Sequence, residues 1–112
     1  MPEGPGEWVE KDAFVLPVIP DELRVDPQLA ALLHAAAFLE LSGDEAVDPD
    51  WAVEALEHIA HYLLKLPAPE VERTEDQLKR IAEFGRNNGW TDEAAEFIET
   101  FLQACGVTEE EE

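Results

Sequence analysis

Three residues have the types and spacing to hold a metal: Glu54, His58 and His61. On a helix, steps of four and three bring all three to one face. Two imidazoles and a carboxylate suit zinc or iron. The spacing departs from the familiar helical metal motifs. The two histidines are three apart, whereas H-E-x-x-H needs them four apart. Neither Glu54 nor Glu57 has a histidine three residues later, as the carboxylate bundle proteins require. No second helix rich in Glu and His offers the remaining ligands. The same residues also read as a solvated polar face with Glu54–His58 and Glu57–His61 pairs at i,i+4. The expectation is that no transition metal is tightly held and that no cofactor is used. Glu54, His58 and His61 stay as the metal candidates.

The other reactive residues stand alone. His34 is the one polar residue in an apolar run. It reads as a core histidine whose ring N–H needs a partner; as a general base it would need an orienting group that the sequence does not identify. Cys105 is the single cysteine, so no intrachain disulfide can form. It falls on an apolar side near a helix C-terminus, where the negative pole disfavours thiolate. Asp44, Glu45, Asp48 and Asp50 do not fit a calcium loop, and Pro49 interrupts one. There is no glycine-rich phosphate loop, G-x-S-x-G or C-x-x-C. The chain is therefore read as a non-enzyme.

Four helices would position these residues. The run Leu29–Leu39, LAALLHAAAFL, has ten apolar residues of eleven. A helix with no polar face must be covered on most sides, and this one is far shorter than the about 20 residues that span a bilayer. It is expected to be the central helix, over 27–42, started by Asp26-Pro27 and stopped at Ser42-Gly43. The second, over 49–66, repeats the Asp-Pro start at Asp48-Pro49. Ala52, Leu56, Ile59, Leu63 and Leu66, at steps of 4, 3, 4 and 3, form its inner face. The third, over 70–88, has a capping-box signal at Thr74 and Gln77, with an earlier start at Pro69 also open. Leu78, Ile81, Ala82 and Gly85 line its buried side, and Asn88-Gly89 ends it. The fourth, over 92–105, is capped by Thr91. Gly106 is its C′ residue, and Val107 can reach back to Leu102. The expected core is Leu29, Leu33, Ala36, Leu56, Ile59, Leu63, Ile81, Ile98 and Phe101. Short loops make such helices antiparallel neighbours. The fold class is all-α: a small four-helix bundle with an extended, proline-containing N-terminal segment packed on it.

Three parts are expected: a flexible arm over 1–12, one helical domain over 13–107 and a disordered acidic tail over 108–112. The segment AFVLPVIP, Ala13–Pro20, is apolar and β-branched, but Pro17 and Pro20 forbid both a central strand and a long helix. It either covers its own bundle or crosses to a second copy. Trp8, Phe14, Val15, Leu16, Val18 and Ile19 are the interface candidates, and a homodimer is expected through them. Trp51 and Trp90 lie at helix starts and read as core-edge packing.

Charge narrows the partners. The 112 residues carry 27 acids against 7 lysines and arginines, a formal charge of −20. Such a surface repels nucleic-acid phosphates and anionic membranes. Arg73, Lys79, Arg80 and Arg86 fall within Glu70–Asn88, where i,i+4 pairs such as Asp76–Arg80 are expected. The N-terminus lacks the basic and apolar regions of a signal peptide, and the protein is expected to be cytoplasmic. Three functions fit. The first is a non-enzymatic acidic module that binds an unidentified protein partner through an apolar or an acidic surface; a charged partner would be basic. The second is an acidic inhibitor, immunity-type protein or DNA mimic that blocks a basic site. The third is a metal-dependent enzyme using Glu54, His58 and His61.

Overall fold

The computed structural model describes residues 13–108. The arm over 1–12, with Trp8, and residues 109–112 lie outside the described residues. The described chain is all-helical, without strands. A single 3₁₀ turn, Asp21–Leu23, precedes α1 (Pro27–Leu41), α2 (Pro49–Leu63), α3 (Ala68–Asn87), α4 (Asp92–Glu99) and the short α5 (Phe101–Ala104). No helix among the described residues is long and apolar enough to cross a membrane.

Local chemistry accounts for most of the boundaries. Asp48 accepts the Asp50 N–H at 2.9 Å, and Pro49 opens α2. Thr91 accepts the Ala94 N–H at 3.1 Å, with Asp92 and Glu93 in the first turn of α4. At the end of α3, Gly89 has φ 86° and the Trp90 N–H reaches the Gly85 carbonyl at 3.0 Å. At the end of α5, Gly106 has φ 82° and the Val107 N–H reaches the Leu102 carbonyl at 2.9 Å. Both are Schellman closures, which need a residue that adopts the left-handed region without strain.

Four features differ from the sequence expectation. The predicted fourth helix is broken at Thr100, whose φ is −103°. Its hydroxyl donates to the Glu96 carbonyl at 2.9 Å, a back-bond that bends helices. Next, α3 begins at Ala68, beside the earlier start left open at Pro69, and Thr74 is not its cap. Gln77 makes no capping box; it is 2% exposed and bonds to Asp26 instead. Asp26 itself does not cap α1 through its side chain. Finally, α2 ends at Leu63, three residues before the predicted Leu66. Leu64, Lys65 and Leu66 continue as turns, because Pro67 cannot extend the helix.

The core joins Leu33, Ala36 and Ala37 of α1 to Leu78, Ile81 and Ala82 of α3 and to Ile98, Phe101 and Leu102. The α3–α4 hairpin is the most closely packed pair, while α2 packs chiefly on α1. Trp90 closes the hairpin by lying across Gly85, where a Cβ would come within 2.5 Å of its ring. Leu29, Leu56, Ile59 and Leu63, expected in the core, are only partly buried. Ala52 is the one buried residue of α2 among the described residues. The apolar α1 is also less covered than expected: Ala31, Ala35 and Phe38 are exposed. Alanine carries little apolar area, so leaving such a face open costs little.

The N-terminal segment covers its own bundle. Leu16 is 2% exposed within the core, Ala13 is buried, and Phe14 and Ile19 pack against the same cluster. The Phe14 N–H donates to Ser42 Oγ at 2.8 Å, fixing one end of the segment to the end of α1. At the other end, α3 holds it. Arg73 grips the Asp26 carboxylate through Nε at 3.1 Å and Nη2 at 2.6 Å. Gln77 accepts the Asp26 N–H at 2.8 Å and donates back to its Oδ2 at 3.2 Å. Arg80 donates to the Leu23 carbonyl at 2.7 Å. The arginines of α3 thus reach across to other elements, as Arg86 does to Glu99 at 2.6 Å. The predicted Asp76–Arg80 pair is not among these contacts.

Candidate docking groove

The metal candidates come only partly together. Glu54 Oε2 lies 3.9 Å from His58 Nε2, both side chains being well exposed. His61 meets the edge of Tyr62 instead, with ring centroids 5.3 Å apart. Among the described residues no three His, Cys, Asp or Glu side chains converge as a ligand set. His34, expected in the core, is only partly buried, at the flank of the open alanine face.

An apolar concavity lies elsewhere. A groove of about 470 Å³ opens between the end of α1, one flank of α2, and α4 with α5. Its position follows from two features already described. Packing chiefly on α1, α2 stands away from α4, and the bend at Thr100 turns Phe101 and Cys105 along the groove. Leu41, Val53, Leu56, Phe97, Phe101 and Cys105 supply its apolar lining. Val53, Leu56 and Ala60 fall at steps of three and four, so one flank of α2 faces the groove throughout. Phe97 and Phe101 meet at 5.7 Å between ring centroids.

The rim has one sign of charge. Glu40, Glu57, Glu93 and Glu96 border the groove, and among the described residues no lysine, arginine or histidine lines it. Four carboxylates around a low-dielectric wall concentrate a negative field. Cys105, part of the lining, has its thiol pKa pushed upward by burial. It is therefore a protonated, weakly nucleophilic packing group at neutral pH.

The interface candidates of the N-terminal segment divide. Leu16 is used up inside the bundle, whereas Val15 and Val18 face solvent, Val18 at 83% exposure. Trp51, expected at the core edge, is 71% exposed. Trp90 packs as expected, against the core and edge-on to Phe84 at 6.1 Å. Sequence reasoning does not single out Phe97, Glu93 and Glu96 as binding residues. Their signal is present as an α4 with apolar and acidic sides, but its juxtaposition with α2 is a tertiary fact.

Comparison with protein-family models, with curated proteins and with solved structures finds no match.

Proposed function

We propose that this protein is a non-enzymatic docking module whose groove receives an apolar, basic segment of a partner protein. The observation that carries the reading is the groove itself: an apolar wall bordered by Glu40, Glu57, Glu93 and Glu96 with no cation among its described lining residues. An amphipathic helix with lysines or arginines beside its apolar stripe complements both properties. Apolar contact supplies affinity and the rim sets orientation and selects against acidic competitors.

Cys105 provides the readout. It is the sole thiol of the chain and lines the groove. A designed Leu/Lys amphipathic helix should slow its reaction with a thiol reagent, and a Leu/Glu helix of the same pattern should not. Glu57→Lys with Glu93→Lys should abolish the protection, and added salt should weaken binding. A Leu/Lys helix that binds the charge-reversed protein equally well would overturn the reading. Binding of a basic protein that leaves Cys105 fully reactive and vanishes in high salt would instead favour the inhibitor or charge-mimic function.

A further inference from the structure

The opposite flank of α2 presents a second surface with different chemistry. Trp51, Ala55, His58 and Tyr62 follow at steps of four, three and four, which forms one stripe along a helix. Trp51 is 71% exposed and Tyr62 is 67% exposed. Lys65 Nζ sits 5.7 Å from the Tyr62 ring centroid. The stripe contains no acid. Glu54 borders it and already leans toward His58 at 3.9 Å. In a chain of charge −20, this is the stretch of α2 where a second copy meets little like charge.

We propose that α2 pairs antiparallel with α2 of a second copy across Trp51, Ala55, His58 and Tyr62. A two-fold axis between Leu56 and Glu57 makes the surface self-complementary, as a symmetric dimer requires. It sets Trp51 against the partner's Tyr62 and Ala55 against the partner's His58. The same register brings Asp48 to the partner's Lys65. Asp48 uses Oδ1 for the Asp50 N–H, which leaves Oδ2 to accept from an ammonium. Each pairing occurs twice. Sliding the register by one turn parts Trp51 from the partner's Tyr62 and Asp48 from the partner's Lys65.

The size of the contact sets its strength. Two tryptophans and two tyrosines, at about 150–250 Å² each, supply roughly 600–1,000 Å². That falls below the roughly 1,200–2,000 Å² of a standard stable interface. The dimer is therefore reversible. Salt strengthens it, because screening relieves the repulsion between two strongly acidic bodies. Binding of a basic segment in the groove responds to salt in the opposite direction, so the two surfaces fail or succeed separately.

Sedimentation equilibrium of the full chain tests this at low and high salt, with circular dichroism to confirm helix content. The expected result is a monomer–dimer equilibrium that tightens as salt rises. Trp51→Ala and Tyr62→Ala each weaken it by about tenfold or more, as truncated aromatic anchors do. Lys65→Glu weakens it as well, while Val18→Ala on the N-terminal segment leaves it unchanged. A protein that stays monomeric at high micromolar concentration in every salt overturns the proposal. So does a dimer indifferent to Trp51→Ala and Tyr62→Ala, or one lost on Val18→Ala.

Discussion

Asp26 shows how a residue can hold its place in the sequence pattern and yet do a different task. As the residue before Pro27 it reads as a helix cap, but its carboxylate goes to Arg73 and Gln77. The hydrogen bond from Arg73, then the one from Gln77, lowers its pKa below the ordinary 3.8. A carboxylate with a depressed folded pKa stabilises the fold fully above its unfolded pKa. That contribution is lost as pH falls through the folded value. The stability difference between the parent chain and Asp26→Asn should therefore be constant near neutrality. It should shrink only below about pH 4, the ordinary range of an aspartate. Urea unfolding of both proteins across this range measures it. A difference that grows on acidification would mean that the carboxylate is not held in its charged form.

Among the elements, α1 and α2 belong to different energetic classes despite equal length. Leu33 of α1 is wholly buried, and Leu33→Ala should cost about 2–5 kcal/mol. Ile59 of α2 is only partly covered, so Ile59→Ala should cost less, about 1–2 kcal/mol on the scale of partial apolar burial. Chemical denaturation of the two variants gives the comparison, and equal losses would contradict the thin packing of α2. The helix starts at Asp48 and Thr91 and the ends at Gly89 and Gly106 are readable in the sequence, because capping is settled within a few residues. The break at Thr100 has only a weak local signal, a threonine whose hydroxyl can turn either way. The inner face of α2 is readable as a stripe, but its degree of cover is not. Periodicity says which side turns inward; how close α3 and α4 come is decided by residues far along the chain. The groove shares that origin, so its apolar walls are visible as two separate helix faces and not as one site. Trp51 is misplaced for a related reason, since ring size alone does not distinguish a core-edge residue from an exposed anchor.

At the scale of the molecule, charge and packing pull against each other. A chain with 27 acids against 7 basic side chains repels itself when compact. Among the described residues the ion pairs Arg73–Asp26 and Arg86–Glu99, with the exposed Glu54–His58 contact, offset part of this. Folding stability should rise as sodium chloride is raised from low to moderate concentration, because screening relieves many repulsions and weakens few attractions. Thermal melts across that range check the sign, and a steady fall with salt would show that specific ion pairs dominate.

The N-terminal segment has a consequence for how the chain is made. Synthesis delivers Ala13–Ile19 before any of the long helices, yet Leu16 shares one buried cluster with Leu78, Ile81 and Ile98, which emerge much later. Until those residues emerge the segment waits, apolar and unpaired. Extended apolar stretches in that condition tend to join other strands and aggregate. Pro17 and Pro20 remove two of the backbone donors that such a pairing would need. The prolines that deny the segment regular structure in the finished fold thereby guard the nascent chain until the later helices arrive to cover it.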